Sequence, residues 1–317
     1  MKIIVTGAAG FIGFHLINKL TQNRNFQVLG IDSVNNYYST KIKRFRTKIL
    51  NKRNNFLFKK INLQNKKKTE SILKSFLPDA VYHIAGQPGV LYSFKDPVSY
   101  RKNNTEATKN LSILCKKYNI KKFIFASSSS VYGDQKKFPI LESAKTNPKN
   151  YYAKTKLECE KIIKNNFMRS DTEYMIFRFF TVFGPFGRPD MFIHKFLNSI
   201  KNKKKIFLHN NGLNYRDFTY VDDLIKILIL TLKKFPKDKI LNICRSKPIK
   251  TTNLVKLISN LYGGKISKIV NTGFVRGEML KTHGSNNLLK KNFKKIKFTK
   301  LEIGLKKTVD IYKKFGC

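Results

Sequence analysis

Tryptophan is absent from the 317 residues, cysteine occurs four times, and 19 acidic residues face 64 basic ones. Each shortage excludes something. Cys115, Cys159, Cys244 and Cys317 stand alone, with no pair at metal-ligand or redox-motif spacing, so no disulfide framework is expected and a reducing compartment is. With 17 Gly and 9 Pro, a collagen-like chain is excluded. Long apolar runs are missing too. The first run is interrupted by Gly7, Gly10 and Gly13 with no small-residue cleavage site after it, and Ile225–Leu232 is far too short to span a bilayer. The expectation is a soluble cytoplasmic protein without membrane contact, and no internal repeat is visible.

The lack of acid leaves a formal charge of +45, which invites a nucleic-acid reading. Its make-up argues otherwise. Only 11 of the basic residues are Arg, the side chain that reads bases and clamps phosphates bidentately. Lys is spread along the whole chain, as in Lys66–Lys68, Lys203–Lys205 and Lys294–Lys295, with no block set apart as a tail. A solvated basic surface with no specific nucleic-acid partner is expected.

What is present is enough apolar material, 41% with 13% aromatic, to bury a core in one large or two modest domains. Short β-branched runs predict strands over Lys2–Thr6, Gln27–Ile31, Phe56–Lys60, Ala80–Ile84, Lys122–Ser127 and Tyr174–Phe179. Amphipathic stretches between them predict helices over Phe11–Leu20, Lys68–Leu77, Tyr100–Tyr118 and Tyr152–Asn165. Strands separated by helical lengths imply an α/β fold with a doubly wound parallel sheet covered on both faces. Near Thr181 the rhythm breaks at Gly184, Pro185, Gly187 and Pro189. Helices over Phe192–Lys201 and Val221–Lys233, with strands over Ile206–His209 and Ile240–Ile243, follow in a smaller mixed lobe. The expected division is 1–180, with returning segments around 217–244, and 181–317.

Three motifs carry chemistry. Gly7-Ala-Ala-Gly10-Phe11-Ile12-Gly13 follows the first strand and opens a helix. Such glycines allow a tight turn and close approach of the backbone to a diphosphate seated on the helix N-terminus. Asp32 ends the next strand, placed to grip ribose hydroxyls and to repel a 2′-phosphate, which favours NAD over NADP. The second motif is Tyr152-Ala-Lys-Thr-Lys156, where i and i+4 share a helix face. A tyrosine pKa of ~10 must fall by ~3 units, about 4 kcal/mol, before the phenol can act as a base near neutrality. A nearby ammonium and a cationic nicotinamide could supply that. Tyr151 is a decoy, since its i+4 residue is Thr155. The third motif is Ala126-Ser127-Ser128-Ser129-Ser130-Val-Tyr-Gly133, at a C-terminal strand end where open α/β sheets bind ligands.

These motifs, with DSVNNYY, HIAGQPGV, RFFTVFGPFGRPDM, YRDFTYVDD and NICRSKP, resemble the extended short-chain dehydrogenase/reductases end to end. Within that group the chain is similar to the nucleotide-sugar epimerase branch, and most of all to bacterial UDP-glucuronate 4-epimerases. The resemblance implies a Rossmann-type domain that holds NAD permanently and a smaller lobe for a UDP-sugar. It implies a homodimer through a four-helix interface of the helices at 100–118 and 152–165. By family role Tyr152 is the base and acid, Lys156 tunes it and holds the nicotinamide ribose, and Ser128 bonds the reacting oxygen. Gly7, Gly10, Phe11, Ile12, Gly13, Asp32, Asn36, Asn62, Leu63, Ala85, Gly86, Gln87 and Asn104 fall where the family contacts NAD. Ser127, Thr181, Arg188, His209, Arg216 and Arg276 fall at substrate positions, Arg216 and Arg276 at the diphosphate.

The branch can also be read chemically. Related dehydratases and decarboxylases place an acid just before Val131-Tyr132-Gly133, where this chain has Ser129 and Ser130. Without it, oxidation at C4 ends in return of the hydride. Arg188 implies a uronate carboxylate, pinned by Arg188, Ser127 and Thr181 against loss of CO₂; a salt bridge to Asp190 is its plainer explanation. The alternatives are a 4-epimerase of a neutral UDP-hexose or UDP-N-acetylhexosamine, and an NAD-binding protein without catalysis. Leu91, Asn62 and His209 depart from the family's usual Arg, Asp and aromatic residue. Asp217, Asp222 and Asp223 are expected to cap and pair locally, and His83 to be a core residue.

Overall fold

The computed structural model describes residues 1–263, 266, 268–275, 277–294 and 296–316. Arg276 and Cys317 lie outside the described residues. The chain separates into two compact units. The first is Met1–Gly133 with Lys145–Phe179 and Leu228–Leu241, and the second is Asp134–Ala144 with Phe180–Ile227 and Asn242–Cys317.

The first unit is built on strands β1 (Lys2–Thr6), β2 (Gln27–Asp32), β3 (Phe56–Lys60), β4 (Ala80–His83), β5 (Lys122–Ser128) and β6 (Glu173–Phe179). They pair in the order β3-β2-β1-β4-β5-β6, every pair parallel, with β11 (Ile240–Ile243) added beside β6. Parallel strands need crossovers, which are α1 (Phe11–Leu20), α2 (Thr40–Leu50), α3 (Lys66–Phe76), two single turns α4 (Tyr92–Lys95) and α5 (Pro97–Tyr100), α6 (Ala107–Lys117) and α7 (Tyr151–Phe167). Because β1 and β4 are neighbours while their crossovers leave in opposite directions, strand order reverses between them. A crevice opens there at the carboxyl ends, where such sheets bind ligands. One core cluster joins Ile4, Leu29 and Val81 of the sheet to Leu111 and Leu114 of α6 and to Cys159 and Ile163 of α7.

Helix α7 starts at Asn150, whose side chain accepts the Ala153 N–H at 2.9 Å, so the first turn carrying Tyr152 is fixed at its N-cap. The residues predicted as one helix over Tyr100–Tyr118 are instead α5, a π-helical turn (Arg101–Glu106) and then α6. Helix α2 has no counterpart in the sequence reading.

The second unit holds short strands and the helices Phe192–Lys201, Thr251–Tyr262 and Leu301–Phe315. Strands β7 (Thr181–Phe183) and β10 (Phe218–Tyr220) pair in parallel, as do β8 (Ile206–Leu208) and β13 (Ile269–Asn271); β9 (Tyr215–Arg216) pairs antiparallel with β12 (Ile249–Lys250). Among the described residues no helix is long and apolar enough to cross a membrane.

Candidate active site

The glycine turn is built as its sequence requires. The Gly7 and Ala8 N–H groups donate to the Ile31 carbonyl at 2.8 and 3.2 Å, locking β1 to β2 where the strands end. Gly7 has φ +72°, and a Cβ there would lie 2.8 Å from the Ala85 nitrogen. A Cβ on Gly13 would collide with the Gly7 carbonyl oxygen. So the turn is Cβ-free where β1 and β4 diverge, and Gly10 at the N-cap of α1 brings no side-chain cap. Phe11 is buried and Ile12 half-buried in the first turn. By helix geometry the N–H groups of this first turn lack intrahelical acceptors and carry the positive end of the helix dipole, which suits a diphosphate.

Asp32 accepts the Ala9 N–H at 3.0 Å and the Val34 N–H at 2.7 Å, one on each oxygen. Each oxygen keeps a second lone pair for a ribose hydroxyl. Burial raises the Asp32 pKa, partly offset by these N–H bonds and by the Lys43 and Arg46 charges. Lys43 was not singled out by the sequence; its ammonium bonds the Asn35 carbonyl and Oδ1, each at 2.7 Å, and lies 4.5 Å from the Tyr38 ring centroid. Asn36 is exposed, whereas Asn35 reaches inward to Gln87 Oε1 at 3.4 Å. Asn62 is exposed after β3, accepting the Gln64 N–H, and Leu63 beside it is buried.

Ala85, Gly86 and Gln87 leave β4 at the crevice. Asn104 holds them: its Oδ1 accepts the Gln87 N–H at 2.6 Å, and its amide donates to the Gln87 carbonyl and to Thr155 on α7 at 3.3 and 3.0 Å. A Cβ on Gly86 would stand 2.9 Å from Asn104 Oδ1 and 3.2 Å from the Lys156 ammonium. The Cβ-free turn, the uncapped helix start and the carboxylate at the end of β2 together fit a dinucleotide.

Tyr152 and Lys156 share one face of α7, which packs on β5 and the 3-10 turn Ser129–Tyr132. Lys156 is buried; its ammonium donates to the Ala126 carbonyl at 2.8 Å and lies 4.8 Å from the Phe125 ring centroid. The half-buried Tyr152 ring stands edge-on to Tyr100 at 6.2 Å, and the Tyr100 hydroxyl is itself fixed to the Pro88 and Gly89 carbonyls. Ser128, at the tip of β5, donates to Ser130 Oγ and accepts the Ser130 N–H. Ser127 points away from this group: its hydroxyl donates to buried Glu160 at 2.6 Å. His83 sits in the core between Thr6 and Thr108, 2.9 Å from each, its pKa lowered to about 3 by burial and then by the Lys156 charge.

In the second unit Thr181 begins β7 and its N–H donates to the Asp217 carbonyl. Arg188 makes a bidentate pair with Asp190, at 2.9 and 2.6 Å. Arg216 donates to the Tyr215 and Leu280 carbonyls with Glu278 at 3.7 Å, and His209 bonds Thr272 at 3.0 Å. Asp217 accepts the Ser246 and Gly284 N–H groups, and burial lifts its pKa to about 6. Asp223 accepts from the Thr299 N–H and hydroxyl. Leu91 is exposed.

Residues 3–244 match the NAD dependent epimerase/dehydratase family, and the chain belongs to it. The UDP-glucuronate 4-epimerase of Thermodesulfobacterium geofontis is 33% identical over 309 residues, which cover 97% of this chain and 94% of that protein. The crystal structure of the Bacillus cereus UDP-glucuronic acid 4-epimerase with UDP-glucuronic acid and NAD aligns over 99% of both chains, at 30% identity and a TM-score of 0.93. The UDP-N-acetylglucosamine 4-epimerase of Methanobrevibacter ruminantium aligns over 99% of this chain and 98% of its own, at 29% identity and a TM-score of 0.89. The cofactor is NAD, as in the family.

Proposed function

We propose that this NAD-dependent UDP-sugar 4-epimerase interconverts UDP-glucuronate and UDP-galacturonate. The observation that carries the reading is Lys156, buried and anchored on the Ala126 carbonyl one helical turn from Tyr152. A cation there can stabilise negative charge that develops on the phenol oxygen as the proton moves. Bound NAD supplies the reversible hydride acceptor that chemistry at C4 requires. Tyr152 takes the proton of the 4-hydroxyl as C4 is oxidised and returns a proton to the same oxygen as the epimeric alcohol forms. Ser128 bonds that oxygen, and Lys156 holds Tyr152 poised. Gly7, Gly10, Phe11, Ile12, Gly13, Asp32, Leu63, Ala85, Gly86 and Gln87 hold the dinucleotide. Arg216 and His209 take the diphosphate and base of the substrate, and Thr181 the sugar.

The serines that stand where dehydrating and decarboxylating relatives carry an acid support return of the hydride, and Arg188 supports a uronate. The 4-keto intermediate of a uronate is a β-keto acid and loses CO₂ readily. Arg188, its plane fixed by Asp190, holds the carboxylate away from that path. A second reading has its own observation. The bidentate Asp190 already neutralises Arg188, and such a pair suits a neutral hexose site equally well.

The test is incubation of the purified protein, with no added NAD, with UDP-glucuronate, UDP-galactose and UDP-N-acetylglucosamine separately, followed by chromatography for the C4 epimer and for CO₂-loss products. Epimerisation of UDP-glucuronate without pentose formation is expected; turnover of only the uncharged sugars would sink the uronate reading. Arg188→Ala is expected to raise KM for UDP-glucuronate or to release CO₂. We also propose a homodimer through α6 and α7, to be read by light scattering.

A further inference from the structure

Three consecutive residues at the end of β5 treat α7 differently. Ala126 offers its carbonyl to Lys156, Ser127 gives its hydroxyl proton to Glu160 at 2.6 Å, and Ser128 closes the 3-10 turn. Glu160 lies one helical turn beyond Lys156 and two beyond Tyr152, on the same broad face. Its carboxylate is also gripped bidentately by Arg178, at 3.0 and 2.7 Å. Arg178 is the register partner of Ser127 across β5 and β6, so two adjacent strands hold one carboxylate of the helix. The guanidinium lies 4.7 Å from the ring centroid of Tyr132, the last residue of the 3-10 turn that follows Ser128. Ser127, Glu160 and Arg178 are all buried.

An ion pair so deep is a poor device for stability alone. Its desolvation cost is large, and apolar side chains of similar volume fill such a space at least as well. What an ion pair adds is direction: a bidentate fork permits one position along the helix axis and one rotation about it. Hydrophobic contact permits many.

We propose that Glu160, Arg178 and Ser127 form a clasp that sets the axial register of α7 against the tip of β5, and thereby places the Tyr152 phenol relative to Ser128. All three are positioning residues, and Ser127 supports the helix instead of touching substrate. The inference rests on the reading above in one respect, that Tyr152 is the base.

The test compares Ser127→Ala, Glu160→Gln and the double variant Glu160→Leu/Arg178→Met with wild type. UDP-glucuronate is the substrate, or UDP-galactose if that is what the wild type uses. Ser127→Ala keeps the ion pair and removes only one donor, so its folding is secure. It is expected to lower kcat several-fold with KM unchanged and to move the acidic limb of the kcat–pH profile upward. Glu160→Gln is expected to lower kcat by roughly 100-fold, the usual cost of an ångström of misplacement. The double variant is expected to melt at or above the wild-type temperature and yet stay slow. A double variant with wild-type kcat and pH profile would overturn the clasp, as would Ser127→Ala that raises KM alone or changes nothing. Tyr152→Phe is run alongside. Turnover in that variant removes the reading beneath the clasp and is seen independently of the clasp variants.

Discussion

At the scale of single residues, burial decides which titratable groups do chemistry. His83 is expected from the sequence to be a core residue; both its ring nitrogens are bonded to threonines, and burial lowers its pKa to about 3. It is therefore neutral in the folded protein, while the unfolded chain protonates it near pH 6.5. Between those values unfolding takes up a proton, so stability rises with pH and is lost as pH falls below about 6.5. Asp217, raised to about 6, has the opposite sign: its contribution is present at low pH and disappears as pH rises through 6. The difference between wild type and His83→Gln cancels the Asp217 term. In urea titrations that difference should shift against the wild type by up to about 1.4 kcal/mol per pH unit on acidification from pH 6.5. A pH-independent difference would mean that His83 is protonated when folded. Tyr152→Phe removes the phenol proposed to move the proton and keeps the ring that meets Tyr100. It should lower kcat roughly 10²- to 10⁴-fold, with UDP-glucuronate binding by calorimetry little changed.

At the scale of elements, the glycine turn and α7 show what spacing can and cannot reveal. Gly13→Ala sets a Cβ against the Gly7 carbonyl. The expected cost is about 1–3 kcal/mol, with the variant purified largely without NAD, as its absorbance ratio at 260 and 280 nm will show. The central parallel strands were legible because both their faces are buried, giving short runs such as KIIVT and FIFAS that alternate with helical lengths, whereas the edge strand β3 keeps Leu57, Lys59 and Lys60 exposed. Helix α2 was not, since Leu50 at its end is its one fully buried apolar residue and the others turned inward are Lys43 and Arg46. They are buried through bonds to Asn35, Tyr38 and Ala9, so no apolar stripe announces them. The break at 101–106 was equally hidden: one extra residue in a turn leaves periodicity nearly intact, and such π turns gather at functional sites. Asn104 sits in it and holds Gln87 and Thr155. In the site, the Tyr–Lys pair is a local spacing and could be read. The orientation of Ser127 and the inward turn of Asn35 depend on partners 33 and 52 residues away, which no local pattern carries.

At the scale of the whole molecule, the charge of +45 acts as a field. Among the described residues Lys43 and Lys156 are the buried lysines, so nearly all the other cations face water. Exposed charges a Debye length apart barely interact in salt, but at low ionic strength they sum, and a summed field draws anionic ligands. A UDP-hexose carries about two negative charges and UDP-glucuronate about three, so the field attracts the uronate more strongly. Raising salt from about 0.01 to 0.15 M shrinks the screening length from about 30 to 8 Å. Over that range kcat/KM for UDP-glucuronate should fall by roughly tenfold or more, and less steeply for UDP-galactose. Stopped assays at constant pH across a potassium chloride series will measure both slopes. A steeper uronate slope, with kcat itself unmoved, assigns the charge to encounter. Equal slopes would leave the surplus lysine as a property of composition without a part in distinguishing the two sugars.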